Sequence, residues 1–166
     1  MPKTRSRQRS KHVWFRPTLK VHYSSLEEAL KAHPLTDASM WLKADSETEF
    51  RRFQWLLEQV IAGNITQLNH HPVYLLQESV KLPKNALRPK KRSRDSITYE
   101  ADACYLYRGV LVIEDSKALN KKTGKPIMEP SARLRHKMLM AKMLAECGDG
   151  FHFKIVTRHD APLDEE

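Results

Sequence analysis

The stretch from Ile97 to Leu119, ITYEADACYLYRGVLVIEDSKAL, constrains this chain more than any other. It holds two runs rich in β-branched and aromatic residues, Ile97–Tyr107 and Val110–Lys117, joined at Arg108-Gly109, which is the pattern of a tight hairpin. Side chains alternate along a strand, so Asp115 and Lys117 share one face while Glu114 and Ser116 take the other. A turn centred on residues 108 and 109 pairs positions whose numbers sum to about 217, which sets Asp102 opposite or close to Asp115. Two carboxylates side by side repel unless a divalent cation or a shared proton relieves them. Asp115 and Lys117 on their own are also what an ordinary strand-end ion pair looks like. With Asp102 beside them, the pattern points to a metal site with a cation for a phosphate group.

The charge layout supports that reading. The 166 residues carry a net charge of +9, but it is not evenly spread. Residues 1–20 contain Lys3, Arg5, Arg7, Arg9, Lys11, Arg16 and Lys20 without an acid, and residues 81–94 contain Lys81, Lys84, Arg88, Lys90, Lys91, Arg92 and Arg94, again without one. Setting those fourteen charges aside leaves 15 basic against 20 acidic residues. A mildly acidic body with two basic segments suits a phosphodiester-cleaving protein: carboxylates gather metal and outlying cations hold a phosphate backbone. The competing reading is that the basic segments are solubilising tails. No window approaches the roughly 18 apolar residues of a membrane span. The basic N-terminus lacks the apolar stretch of a secretory signal. Cys104 and Cys147 show no CxxC spacing, so both are expected as buried or half-buried free thiols in a reducing, cytoplasmic setting.

Residues 1–20 read as a basic, disordered arm, 21–158 as one domain with a basic loop at 81–94, and 159–166 as a loose acidic tail. Val13-Trp14-Phe15 is the one part of the arm able to dock onto the body or stack on a base. Ser24 or Ser25 caps a short helix that Pro34 ends. Asp45 or Ser46 caps a longer one, with Phe50, Phe53, Leu56, Leu57, Val60 and Ile61 at helical spacing and Gly63-Asn64 at its end. Ile65–Gln77 reads as one or two strands around His70-His71-Pro72. After the hairpin comes an exposed loop (118–130), then a helix capped by Ser131 with a stripe of Leu134, Met138, Leu139, Met143 and Leu144. A last strand, Phe151–Thr157, follows. The fold class is α/β, a central mixed sheet flanked by helices.

Mg²⁺ takes oxygen ligands and keeps several waters, so two or three carboxylates and a substrate phosphate suffice to hold it. Lys117 is the compact cation that would orient water or neutralise developing charge. Glu114 is the rival ligand to Asp115, disfavoured by alternation. His70 and His71 lack a cysteine or acidic partner at helical or hairpin spacing and read as strand-end polar residues near DNA rather than zinc ligands. His136, His152 and His159 form no ligand set. Met138, Met140 and Met143 read as core. Arg135 and Lys137, with Arg133, contact phosphates or simply cover a solvated helix face.

Tyr99-x-Ala101-Asp102, an aromatic strand, a turn and Val112-x-Glu114-Asp115-x-Lys117 together resemble the PD-(D/E)XK nuclease superfamily, closest to small phage-encoded endonucleases of a domain-of-unknown-function family. The resemblance covers roughly residues 44–157 and includes Asp45-Ser46-x-x-Glu49 at a helix start and Ala62-Gly63-x-Ile65 at its end. It implies a restriction-endonuclease-like core and a Mg²⁺- or Mn²⁺-dependent nuclease domain over 21–158. It also implies Glu49, Asp102 and Asp115 as metal ligands, the Ser116 carbonyl as a further one, and Lys117 as general base or charge stabiliser. Two positions depart from the pattern: Ala118 stands where glycine is common, and His71-Pro72 where Gln-Pro is frequent. Phe153-Lys154-Ile155-Val156-Thr157 and the helix glutamate are also similar to TnsA-like transposon endonucleases, which work with partner proteins.

The expectation is therefore a metal-dependent DNA endonuclease, phage- or mobile-element-encoded, acting on duplex or branched DNA. Arg5, Arg7, Arg9, Lys11, Arg88, Lys90, Lys91, Arg92 and Arg94 would embrace the phosphates. A homodimer, or a transposase or phage protein partner, is compatible with one site cutting one strand. The alternatives are a TnsA-like subunit active only with its transposase, and a non-catalytic DNA-binding protein on the same fold.

Overall fold

The computed structural model describes residues 12–19, 21–81 and 93–164. Among them lie three α-helices and several sheets, one of them mixed. The main sheet has the order β11-β10-β9-β4, with β4 Ile65–His70, β9 Ala103–Tyr107, β10 Val110–Ser116 and β11 Phe151–Val156. β4, β9 and β10 run antiparallel in turn, and β11 lies parallel to β10. That parallel step needs a crossover, which helix α3, Pro130–Cys147, provides.

The hairpin follows the register read from the sequence. Val110 pairs with Tyr107 and Glu114 with Ala103, so the paired numbers sum to 217 throughout. Arg108 and Gly109 both have positive φ, 50° and 81°, as a two-residue turn matched to strand twist requires.

Alternation along β10 gives the sheet two different faces. Val112 packs with Tyr105, Ala103, Ile65 and the Phe50, Phe53 and Leu56 of α2, Glu47–Ile61. Ile113 packs on the other side with Tyr99, Ala101, Cys104 and the Leu139 and Met143 of α3. Ser46 caps α2, its hydroxyl accepting from the Glu49 N–H at 3.2 Å, and Ser25 caps α1, Leu26–Ala32, in the same way at 3.1 Å.

Several expectations change. Val13–Phe15 is a strand, β1, paired with both β2, His22–Tyr23, and β3, Leu42–Ala44, and Phe15 is fully buried against Phe50 and Phe53. The arm reading therefore does not hold for residues 12–19, because two apolar side chains pull the segment into the core. Residues 1–11 lie outside the described residues, as do 82–92, and so do Arg5, Arg7, Arg9, Lys11, Arg88, Lys90, Lys91 and Arg92. Around that second gap, β5, Val73–Gln77, pairs with β8, Ile97–Glu100, and the two-residue strands β6, Val80–Lys81, and β7, Ser93–Arg94, pair beyond them. Helix α3 begins at Pro130 without a side-chain cap, not at Ser131, since proline suits the first helical position. It buries His136, Leu139 and Met143, while Leu134, Met140 and Leu144 are exposed. The segment after Thr157 is docked: the Lys154 ammonium donates to the carbonyls of Pro162 and Leu163, and Leu163 packs against the α2-side core. Cys104 is buried and Cys147, at the end of α3, is exposed. Among the described residues no helix is long and apolar enough to cross a membrane.

Candidate metal centre

Four side chains singled out in the sequence converge at the end of β10 that meets α2. Asp115 comes from β10 itself. Asp102 precedes β9, where the regular pairing ends at Ala103 and Glu114. Its N–H donates to the same Glu114 carbonyl at 3.0 Å, one residue out of step with the ladder, and this leaves its carboxylate at the end of β10 within the field of Asp115. Its carboxylate accepts from the Ser116 N–H. The contact that Ser116 makes here is thus through its amide N–H. Glu49 enters from the first turn of α2 and is fixed by the cap, since its Oε2 accepts from the Asp45 N–H at 2.9 Å. The Asp-Ser-x-x-Glu pattern is a helix start that also aims a carboxylate. Lys117 points back to Asp115, and its ammonium donates to Asp115 Oδ1.

Burial and mutual repulsion set the protonation of this group. Burial first, then the charges of Glu49 and Asp115, push the Asp102 carboxyl up to about 7, against the Ser116 N–H and the Lys117 charge. Glu49 goes the other way. Burial raises it, but the imidazoles of His70 and His71 beside it outweigh burial and hold it at about 2. The hydrogen bond to Glu49 raises His71 despite burial, helped by the charges of Glu49, Glu100 and Asp102.

The sequence reading missed the histidines. His70 ends β4, and His71 takes a left-handed backbone, φ 51°, which turns the chain into Pro72. That conformation is uncommon for a residue with a Cβ and carries a strain of roughly 1–3 kcal/mol. It brings the His71 Nε2 to 2.5 Å from Glu49 Oε1 and its Nδ1 to 3.2 Å from Glu100. The acidic partner that hairpin and helical spacing did not supply is therefore Glu49, 22 residues away. Donor atoms of Glu49, His70 and His71 lie within 4.8 Å of one another.

His136 was also passed over. It is buried on α3 with its Nε2 2.8 Å from Asp115 Oδ2 and 3.2 Å from the Tyr99 hydroxyl. Burial lowers its basicity against the pull of Asp115. Burial also raises the Tyr99 phenol, with the charge of Asp115 adding to it. Both oxygens of Asp115 are thus directed, one by Lys117 and one by α3.

Glu114 takes no part in this group. It is fully buried on the α2 face, where Arg52 grips it with two hydrogen bonds of 2.9 and 2.7 Å and Tyr105 donates at 2.6 Å. The remaining Arg52 nitrogen donates to the carbonyls of His159 and Ala161, at 3.1 and 2.6 Å, and tacks the C-terminal segment to the sheet. Arg135 and Lys137 are exposed on α3. The backbone of Arg94 lies in β7. His152 and His159 stay outside the site. Comparison with protein-family models, with curated proteins and with solved structures finds no match to this chain.

Proposed function

We propose that this protein is a divalent-metal-dependent endonuclease that hydrolyses phosphodiester bonds in DNA, on a restriction-endonuclease-like core of the PD-(D/E)XK kind. The observation that carries the proposal is Asp102 held at the end of β10 by the Ser116 N–H, close enough to Asp115 and Glu49 for both to raise it, with Lys117 on Asp115. A packing role for the group is disfavoured, because Asp102 is desolvated beside the charges of Glu49 and Asp115 and its contact is a backbone N–H, an arrangement that costs stability unless a cation joins it. Mg²⁺ or Mn²⁺ fits the donor set: Asp102, Asp115 and Glu49 would hold it. When bound, such an ion supplies an activated water and positive charge against the phosphate oxygens.

The chain's own residues do the rest. Lys117 exchanges its hold on Asp115 for the attacking water or a phosphate oxygen, where a compact cation neutralises developing charge. His136 keeps Asp115 Oδ2 in place from α3 while that exchange happens. The Ser116 N–H fixes the rotation of the Asp102 carboxylate. The cations of 1–20 and 81–94, with Arg135 and Lys137, would track the DNA backbone without reading its sequence. A homodimer, or a transposase or phage protein supplying the second cut, is part of the proposal.

Supercoiled plasmid and a four-way junction, incubated in Mg²⁺ or Mn²⁺, test the reading. Wild type should cut, while Asp115→Ala and Lys117→Ala should bind in Ca²⁺ yet leave the DNA intact. Binding without cleavage by wild type, with or without added transposase, would overturn it in favour of a non-catalytic DNA-binding role.

A further inference from the structure

The side chain of His70 is 9% exposed, and its Nε2 is a fully buried atom without a hydrogen-bond partner. Such a nitrogen costs roughly 1–3 kcal/mol to leave unsatisfied. Glu49 Oε1 stands 3.7 Å from it, beyond hydrogen-bond range. The ring has little freedom to improve that distance. Phe53 meets it edge-on at 4.6 Å, Phe15 at 5.7 Å, and the His71 ring is stacked on it at 3.9 Å. That distance lies just above the span of two ligands on one ion: each about 2.1 Å from it, they stand roughly 3.0–3.4 Å apart at octahedral to tetrahedral angles, and a small movement of the Glu49 carboxylate closes the difference.

We infer that His70 Nε2 is an imidazole ligand to the ion held by Glu49, making the centre a mixed nitrogen–oxygen site that takes Mn²⁺ in preference to Mg²⁺. The inference rests on the metal-centre reading given under Proposed function and adds one ligand and an ion preference to it. Mn²⁺ and Mg²⁺ both take oxygen ligands, but Mn²⁺, as a first-row transition ion, accepts an imidazole nitrogen more readily than the hard Mg²⁺ does. His71 does not share this role. An ion lies in the plane of each imidazole that binds it, and the two rings stand 14° from parallel in a stack, so one ion cannot lie in both planes. His71 instead holds Glu49 through Nε2 and Glu100 through Nδ1. A histidine beside a ligating carboxylate orients it without touching the metal.

The test is pulsed electron paramagnetic resonance of Mn²⁺ added to the full-length, metal-free protein, reading the coupling of the electron spin to a directly bound ¹⁴N. Wild type should show one imidazole coupling. It should vanish in His70→Phe, which keeps an aromatic ring between Phe15 and Phe53, and persist in His71→Phe. Titration should show the Mn²⁺ dissociation constant rising on the order of 10–100-fold in His70→Phe, with Mg²⁺ affinity changing much less. Mn²⁺ bound with no nitrogen coupling in wild type, or a coupling that survives His70→Phe, overturns the inference and leaves the oxygen-ligand centre standing. Failure of wild type to bind Mn²⁺ at all overturns both. The wild-type spectrum decides this even where a variant folds poorly.

Discussion

Asp102→Asn exchanges a carboxylate for a group of the same shape that still offers an oxygen to the Ser116 N–H. In the metal-free protein the folded-state value of Asp102 lies near 7, against an ordinary value of 3.8. A carboxyl raised on folding binds its proton more tightly in the native state, so the native state is favoured while that proton is on. Stability then falls as pH climbs from about 4 to about 7 and stays reduced above. About three pKa units correspond to about 4 kcal/mol at pH 8, a ceiling that relaxation around a buried charge cluster lowers to roughly 2–4 kcal/mol. Asp102→Asn carries no such charge. Urea unfolding in EDTA should therefore find the variant more stable than wild type at pH 8 by that amount, with the gap narrowing by most of it at pH 5. Adding Mn²⁺ at pH 8 should stabilise wild type and leave the variant unmoved. A variant equally or less stable than wild type at both pH values would refute the claim that these carboxylates oppose one another.

Arg52→Leu leaves Glu114 buried without its partner and frees two backbone carbonyls. Urea denaturation should show a loss of about 3–5 kcal/mol, whereas a loss under 1 kcal/mol would mean that Glu114 is neutral or hydrated there. His136→Gln should slow single-turnover cleavage by about 10–100-fold with DNA binding in Ca²⁺ unchanged, since His136 touches Asp115 and not the substrate; an unaltered rate would show that α3 does not position the carboxylate. If roughly eight cations of the basic segments meet phosphates, log K measured by fluorescence anisotropy should fall with log salt at a slope of about −7, and a slope near −2 would leave those segments without a role in binding.

Local grammar made part of this molecule legible. A two-residue turn and strict alternation set the register of the hairpin, and with it the neighbourhood of Asp102 and Asp115 and the opposite facing of Glu114. Cap chemistry placed the start of α2 and hence Glu49. What the sequence could not convey was pairing at a distance. Arg52 and Glu114 are 62 positions apart, and His136 and Asp115 are 21 apart on different elements. No spacing rule links such pairs, because tertiary packing alone brings them together. The stripe read on α3 failed for a related reason: apolar residues occur all round that helix, and the face that is buried is the one whose His136 meets a carboxylate. Val13–Phe15 was hidden by its surroundings, three residues of strand beside a run of cations.

β10 interleaves two kinds of information on one seven-residue thread. Its even positions, Val112 and Glu114, belong to the scaffold on the α2 side, and its odd positions, Ile113 and Asp115, face α3, where Asp115 meets His136 and enters the proposed centre. The two messages are read in fixed phase. Substitution at one letter damages one message, but insertion or deletion of a single residue ahead of Glu114 would exchange them, presenting Glu114 to His136 and carrying Asp115, with Lys117 beside it, over to Arg52. Both carboxylates would survive such an edit in composition and both would be misplaced. In a library of variants, this strand should accept some changes of spelling and no change of length.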